Sequence, residues 1–163
     1  IGAKEGSLTI MAGGDEEAFN SSLQVLNLYS KYSKRMGDSG SGQLTKMVNQ
    51  ICIAGLIQAL AEGMHFSEKA GLNTKEVIEV ISRGAAQSWQ MDNRWETMLA
   101  DYYEHGFAVD WMRKDLGFVL EESVVNGSNL EITNLIDSFY AEVQQKGGGR
   151  WDTSSLFRRL NSQ

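Results

Sequence analysis

The sequence contains no proline at all, and this absence constrains its fold more than any other single feature. Average usage of about 5% would place roughly eight prolines in a chain of 163 residues. The 17 glycines lie mostly between apolar stretches, where they can end helices in place of the missing prolines. The pattern indicates a helical protein with breaks made by glycine, and it argues against a sandwich of strands punctuated by proline.

The composition narrows the class of protein further. A hydrophobic fraction of 42% permits a globular core, and the length suits one domain or slightly more. A net charge of -6 and a pI near 4.9 argue against binding of nucleic acid through bulk charge. The most apolar stretch, Ile51 to Ala61, is half of the ~20 residues that a membrane span requires, so we expect no membrane partner.

The cysteine content and the chain start give two more expectations. A single cysteine, Cys52, excludes an internal disulfide framework and fits a reducing compartment such as the cytoplasm. The segment before Ser7 is short and polar and does not resemble a targeting signal. Because the chain starts at Ile1 and not at a methionine, we expect it to be part of a longer protein.

The first forty residues predict a strand, a helix and a strand. Ser7 to Ala12 is β-rich and ends at a pair of glycines. Asp15 then opens a helix whose apolar stripe extends to about Tyr32. A second extended piece, around Ser33 to Met36, is placed to pair with the first strand.

The segment after the glycine-rich stretch at 37–42 predicts one long helix from Gln43 to about Ala70. Its middle, Ile51 to Ile57, is apolar on every face, which is typical of a central, buried helix. We accordingly expect Cys52 to be an inert core thiol.

Further helices follow, and glycines separate them. Gly71 is predicted to end the long helix, and Asn73 and Glu76 have the spacing of an N-terminal cap and its partner. The remaining helices are predicted at Trp89 to Tyr103, Val109 to Val125, Glu131 to Lys146 and Thr153 to Leu160. Residues 41–163 therefore predict an all-helical domain of about six helices.

Lys46 is the most unusual polar residue, because it lies near the start of the long apolar helix. The helix dipole at this end, and any burial, favour the neutral amine, and a lysine that loses its proton easily is a candidate general base. Gly42, Asn49 and Gln50 lie on the same helix face, where a small ligand could approach the backbone and the amides could hold its oxygens. The alternative is an ordinary solvated lysine on a wet helix face.

The other polar candidates are weaker. The adjacent Lys114 and Asp115 are typical of a solvated face, unless they point at the same cleft as Lys46. His65 and His105 lie far apart without a ligand pattern, so we expect no metal site. Gly40-Ser41-Gly42 lacks the strand, full glycine pattern and distal acid of a dinucleotide fingerprint.

Taken together, Gly40, Gly42, Lys46 and Asn49 resemble the Gly-x-Gly-x-x-x-Lys-x-x-Asn motif of the β-hydroxyacid dehydrogenase family. Its members include 3-hydroxyisobutyrate dehydrogenase, tartronate semialdehyde reductase, glyoxylate/succinic semialdehyde reductase and 6-phosphogluconate dehydrogenase. The resemblance extends nearly end to end. It also includes Gly2-Ala3, Gly6, Leu8, Gly71-Leu72, Phe107, Lys114-Asp115-Leu116, Asp152, Ser154 and Leu156.

The resemblance implies two domains, of which this chain holds the smaller part of one and nearly all of the other. Residues 1–40 correspond to the tail end of an N-terminal dinucleotide-binding Rossmann domain. Residues 41–163 correspond to an all-helical C-terminal domain for substrate binding and dimerisation, like that of 6-phosphogluconate dehydrogenase. The NAD or NADP cofactor would be bound mainly by the upstream domain, and the assembly would be a homodimer or tetramer.

The resemblance also implies roles for particular residues. Lys46 corresponds to the catalytic general acid or base, and Gly42, Asn49 and Gln50 to substrate-binding positions. Many members have asparagine at both amide positions, so Gln50 is a departure. Lys114 corresponds to a lysine that approaches the cofactor, while Phe107 and Asp115 correspond to positions near the substrate or cofactor, and we assign both to substrate binding.

The implied reaction interconverts a small β-hydroxyacid and its semialdehyde. The 6-phosphogluconate enzymes place histidine where this chain has Asn49, which favours a short hydroxyacid over a sugar phosphate. Because the dinucleotide fingerprint would lie upstream of Ile1, we expect the isolated chain to be inactive. The alternative is a non-catalytic helical oligomerisation or interaction module of the same fold, against which the intact lysine motif argues.

Overall fold

The computed structural model describes Gly2 and residues 4–161, which form two compact units, Ile1–Asn49 and Gln50–Gln163. The predicted position of Ala3 in the family motif lies outside the described residues. The chain is mainly helical, as predicted, and a two-stranded parallel sheet is the β structure of its described part.

The first unit contains the predicted strand, helix and strand. Strand β1 (Leu8–Gly13) pairs in parallel with β2 (Ser30–Gly37), and helix α1 (Glu16–Leu26) connects them. Asp15 caps α1, because its side chain accepts a hydrogen bond from the backbone of Ala18 at 2.9 Å. The predicted pairing of the two extended segments is therefore confirmed.

The prediction that the first helix extends to about Tyr32 is wrong. Helix α1 ends at Leu26, and Tyr32 lies in β2 opposite Thr9 of β1. The Ser30 hydroxyl donates to the Leu26 carbonyl at 2.8 Å and thereby ties the end of the helix to the start of the strand. The segment instead provides the backbone partners that the N–H and C=O groups of β1 require.

The long helix α2 (Ser41–Lys69) has 29 residues and matches the predicted position within two residues at each end. Its first residues belong to the first unit, where Gly42 is buried against β1. A Cβ atom at Gly42 would lie 2.5 Å from the Met11 carbonyl oxygen and 2.9 Å from the Gly13 backbone nitrogen. The close approach of this helix start to β1 therefore requires glycine.

In the second unit, five further helices pack against one side of the remainder of α2. They are α3 (Thr74–Ile81), α4 (Trp89–Leu99), α5 (Val109–Asn126), α6 (Glu131–Gln145) and α7 (Leu156–Asn161). Short 3-10 turns lie at Gly148–Arg150 and Thr153–Ser155, before α7. The core is formed by apolar side chains from every helix of this unit, including Ala54, Ile57, Met64, Ile78, Met98, Met112, Leu116, Ile136, Tyr140 and Leu156.

The prediction of a helix buried on every face is wrong for the chain as described. Ala54, Ile57, Ala61 and Met64 lie on one face of α2 and have no exposed surface, whereas Cys52, Leu56 and Phe66 are exposed. Cys52 is consequently not a core thiol. The pattern arises because α3 to α7 cover only one side of α2 within this chain.

By length and composition alone, α2 also meets the criterion for a membrane-crossing helix. The core helix of a globular unit meets the same criterion. The buried face of α2 shows that it serves as such a core helix here.

We expect Gly42→Ala to lower the free energy of unfolding of the first unit by about 1–3 kcal/mol, because the methyl group must displace β1 backbone. Gly63→Ala is the matched control within α2, since nothing lies within 4 Å of the added Cβ. It should raise stability by about 0.5–1 kcal/mol through the better helix propensity of alanine. Urea denaturation of both variants checks this, and equal effects at the two positions would contradict the close approach at Gly42.

Candidate functional site

Lys46 is the sixth residue of α2 and is exposed in the first unit. The first turn of α2 contains no acidic residue, and the Thr45 hydroxyl donates back to the Ser41 carbonyl at 2.7 Å. The amine of Lys46 is thus on an accessible surface near the positive end of the helix dipole. The burial on which part of the sequence argument depended is not present in the described chain.

Asn49 and Gln50 follow Lys46 in α2, one helical turn further on. Asn49 is half-buried and is the last residue of the first unit, whereas Gln50 is the first of the second unit and is only 1% exposed. The two amides therefore have different surroundings although they are adjacent in sequence.

The buried amide of Gln50 is held by the carboxylate of Asp115. Gln50 Nε2 donates to Asp115 Oδ2 at 2.8 Å, and the sulfur of Met112 lies 3.9 Å from the same nitrogen. Helix α5 presents both partners, since Met112 and Asp115 are three residues apart on one helix face. The structure thereby joins two residues predicted to bind substrate, 65 residues apart in sequence.

Lys114 extends this group toward solvent. Its Nζ lies 3.4 Å from Asp115 Oδ1 and 5.5 Å from the ring centroid of Trp111. Phe118 presents a second ring, 6.0 Å from the same nitrogen. The side chains of Lys114, Trp111 and Phe118 are each about half-exposed, and this side of α5 offers a cation beside two accessible aromatic faces.

Phe107 belongs to a different cluster from Gln50, Asp115 and Lys114. Its ring is 38% exposed, and its backbone N–H donates to Asp152 Oδ2 at 2.9 Å. The sequence identifies Asp152 only as a position in the family motif. Gly106, directly before Phe107, is the sequence signal for this contact. The sequence does not show that the carboxylate it accommodates belongs to Asp152, 45 residues after Phe107.

Two buried tyrosines lie near Asp152 and stay neutral. Burial raises the pKa of the Tyr140 phenol, and the charge of Asp152 raises it further. Burial likewise raises the pKa of Tyr103, with a smaller contribution from Asp101. Neither phenol is suited to carry a proton to or from a substrate near neutral pH.

The structure therefore brings Gln50, Asp115 and Lys114 together and leaves Phe107 in a separate cluster within the second unit. Gly42, Lys46 and Asn49 lie in the first unit. Among the described residues, no group of three or more His, Cys, Asp or Glu side chains could hold a metal ion.

Comparison with known proteins gives one matching family model. Residues 40–160 match the family described as "NAD-binding of NADP-dependent 3-hydroxyisobutyrate dehydrogenase". The matched region begins at the glycine motif before Lys46 and includes α2 to α6 and most of α7.

Curated relatives match nearly the whole chain. An uncharacterized oxidoreductase of Shewanella frigidimarina is 58% identical over 98% of this chain and 55% of its own length. The 2-hydroxy-3-oxopropionate reductase of Escherichia coli is 32% identical over 98% of this chain and 55% of its own length. The chain thus spans about half the length of the curated relatives that it matches.

Solved structures show the same fold. A 3-hydroxyisobutyrate dehydrogenase of Salmonella typhimurium superposes with a TM-score of 0.85 at 29% identity, covering 96% of this chain and 55% of the other. The 3-hydroxyisobutyrate dehydrogenase of Mycobacterium tuberculosis, solved with L-serine, gives a TM-score of 0.90 at 24% identity, covering 99% and 57%. At this identity, the similarity to the Mycobacterium tuberculosis structure shows a shared fold only.

We expect Gln50 and Asp115 to be coupled energetically by about 1–3 kcal/mol, because the Gln50 amide is buried and donates to a charged acceptor. A double-mutant cycle with Gln50→Ala and Asp115→Ala, followed by urea denaturation, measures this coupling. The matched cycle with Lys114→Ala and Asp115→Ala should give less than about 1 kcal/mol, since the Lys114 side chain is 53% exposed. Equal coupling in the two cycles would show that the Gln50 contact is not a structural bond.

Proposed function

Because the chain belongs to the NADP-dependent 3-hydroxyisobutyrate dehydrogenase family, we propose that it is the helical part of an NAD(P)-dependent enzyme that interconverts a small β-hydroxyacid and its semialdehyde. Relatives of the chain are oxidoreductases, and the family model is an NAD-binding one, so the cofactor of the family is NAD or NADP. In this proposal the helical unit has the fold of the 6-phosphogluconate dehydrogenase C-terminal domain.

The observation that carries the proposal is the position of Lys46. The motif of Gly40, Gly42, Lys46 and Asn49 lies at the start of α2, within the segment that matches the family model. Lys46 is exposed there, so its amine is accessible to a bound substrate. Asn49, one turn further along the helix, has both a donor and an acceptor for substrate oxygens.

In the proposed reaction, the Lys46 amine takes the proton of the substrate hydroxyl during oxidation and returns it to the carbonyl oxygen during reduction. When bound, the nicotinamide cofactor would supply the hydride acceptor for oxidation and the hydride donor for reduction. Oxidation thus removes a hydride from the substrate carbon and a proton from its hydroxyl oxygen. Lys46 accepts only the proton. Asn49 would position the substrate beside this amine, and Gly42, which is buried against β1, would contribute through the position that it gives the start of α2.

The second unit offers surroundings that fit a phosphorylated dinucleotide. Lys114 presents a half-exposed ammonium, and Trp111 and Phe118 present aromatic faces beside it. Such a combination suits negative phosphates and flat rings. We therefore assign Lys114 to the cofactor and retain Gln50, Asp115 and Phe107 as substrate-side residues, with Asp115 fixing the Gln50 amide from within the protein.

The domain boundary is part of the same proposal. Residues 1–40 would complete the dinucleotide-binding domain, which suits a parallel strand–helix–strand unit that is too small a sheet to be stable alone. Residues 41–163 would form the substrate and dimerisation domain. The low cysteine content fits a cytoplasmic location of the enzyme.

Lys46→Ala in the full-length enzyme should lower kcat for the hydroxyacid by about 10²- to 10⁴-fold, since the proton then lacks an acceptor. Binding of NADH or NADPH, followed by fluorescence, should stay unchanged. Lys69→Ala is the matched control, because Lys69 is an exposed lysine at the other end of α2.

The isolated chain, which we expect to be inactive, serves as the blank in this assay. Near-normal turnover of Lys46→Ala would overturn the assigned role. Complete inertness of the wild-type enzyme with NADH and NADPH across a panel of semialdehydes would favour the non-catalytic oligomerisation module instead.

We also propose that the enzyme is a homodimer or tetramer, with α2 at the subunit contact. The exposed side of α2 carries Cys52, Leu56 and Phe66, and Leu56 lines an apolar groove together with Val77 and Ile81 of α3. An apolar surface of this kind is typical of a protein contact.

Sedimentation equilibrium tests the proposed contact. The wild type should sediment as a multiple of its subunit mass, and Leu56→Glu should shift the population to the monomer because it places a charge in the apolar contact. Val124→Glu is the control, since Val124 is an 84% exposed apolar residue on α5. A monomeric wild type, or equal behaviour of the two variants, would contradict the assignment of α2.

A further inference from the structure

The side chain of Asp152 is the carboxylate at the centre of a buried polar cluster in the second unit. The residue has no exposed surface and caps the 3-10 turn Thr153–Ser155. A buried carboxylate is tolerated only when charges or hydrogen bonds compensate for its lost hydration. The contacts of Asp152 show how this requirement is met.

The two oxygens of Asp152 have different partners. Oδ1 accepts the Ser154 backbone N–H at 3.0 Å and the Ser154 hydroxyl at 2.6 Å, and Arg94 Nε lies 3.2 Å away. Oδ2 accepts the backbone N–H of Phe107 at 2.9 Å. One oxygen thus holds its own turn and the neighbouring arginine, while the other holds a distant backbone segment.

Further backbone bonds fasten that segment. The backbone N–H of Asp152 donates to the Tyr103 carbonyl at 2.8 Å, and the N–H of Thr153 donates to the Phe107 carbonyl at 2.9 Å. The N–H of Val109, the first residue of α5, donates to the Trp151 carbonyl at 2.9 Å. The chain from Tyr103 to Val109 is therefore fixed along its length by residues 151–153.

Gly106 makes the contact with Oδ2 possible. It has a φ of +68°, and a Cβ atom at this position would overlap the Oδ2 atom of Asp152. The glycine thus serves both the left-handed backbone conformation and the close approach of the carboxylate. Both requirements belong to the turn that sets the direction of Phe107.

We propose that Asp152 is a positioning residue for the substrate side of the enzyme. Through Oδ2 it fixes the backbone of Phe107, and so orients the half-exposed Phe107 ring. This inference rests on the proposed function, in which Phe107 contacts the substrate. Asp152 itself is buried and does not touch the substrate.

Asp152→Asn in the full-length enzyme tests the proposal without a change in side-chain shape. Three donors, from Arg94 and Ser154, surround Oδ1 and will keep the amide oxygen on that side. The amide nitrogen then faces the Phe107 N–H, so that two donors oppose each other and the bond is lost. The KM for the hydroxyacid should rise about tenfold, whereas kcat and the KM for NAD(P) should change little, because ground-state and transition-state binding are lost equally.

Two further variants separate positioning from general destabilisation. Gly106→Ala should raise the same KM, since its methyl group displaces Oδ2. Ser154→Ala removes a hydrogen bond to Oδ1 alone, so it should lower the Tm but leave the KM for the hydroxyacid unchanged. An equal rise of KM in all three variants, or no rise in Asp152→Asn and Gly106→Ala, would overturn the proposal.

Amide hydrogen exchange at Phe107 distinguishes failure of the inference from failure of the proposed function. The Phe107 N–H should exchange slowly in the wild type and faster in Asp152→Asn, but not in Ser154→Ala. If the wild type shows no turnover, the proposed function fails, and the exchange rates still report whether Asp152 fixes this backbone. Unchanged exchange in Asp152→Asn would overturn the inference in an otherwise active enzyme.

Discussion

The burial of one face of α2 is the constraint on which the second unit depends. Ala54, Ile57, Ala61 and Met64 form a continuous apolar face, against which the core side chains of the other helices pack. A helix of 29 residues can supply this face only because nothing in its sequence interrupts the backbone hydrogen bonds. The same helix begins at the motif that contains Lys46, so the proposed chemistry and the core of the protein share one secondary-structure element.

Paired polar groups inside this apolar unit then fix the positions that the proposed function uses. Gln50 is held by Asp115, and the backbone of Phe107 is held by Asp152. Each of these bonds joins segments that are far apart in sequence. Because an unsatisfied polar group in the core costs free energy, each bond selects one arrangement of the helices over alternatives that pack equally well.

A further polar pair joins α5 to α6. Arg113 donates from Nε and Nη2 to the two carboxylate oxygens of Asp137, both at 3.0 Å. This hydrogen bonding raises the pKa of Arg113 and keeps the guanidinium charged. The bidentate contact fixes the helix that carries Lys114 and Asp115.

Much of the fold could be predicted because the signals were local. The glycines that follow α2, α5 and α6, the cap at Asp15 and the spacing of apolar residues are properties of short segments. Asn73 lies at the start of α3 but does not form the predicted cap bond, because its side-chain amide donates to Glu76 instead. The end of α1 was missed because Tyr32 is placed by pairing with β1, which the local pattern does not contain. The exposure of Cys52 was also missed, because the sequence pattern shows that a helix is apolar but not which of its faces other helices cover.

The candidate site was less predictable than the fold. Spacing alone placed Lys46 and Asn49 on one helix face, and the resemblance to a family supplied the reaction. The bond between Gln50 and Asp115 depends on how α2 and α5 pack, and the contact of Asp152 with Phe107 depends on how residues 151–153 meet the segment before α5. Such contacts follow from tertiary packing, which the spacing of residues along one chain does not encode.

Chemical restoration of the amine at position 46 tests the central claim most directly. In the full-length enzyme, with Cys52 and any other cysteine replaced by serine, Lys46→Cys should be inactive. Alkylation of that thiol with 2-bromoethylamine places an amine at nearly the reach of lysine. The account predicts that this treatment restores NAD(P)-dependent oxidation of the hydroxyacid, while alkylation with iodoacetamide does not. Full activity of Lys46→Cys before treatment, or equal recovery with both reagents, would contradict the assignment of Lys46 as the general acid and base.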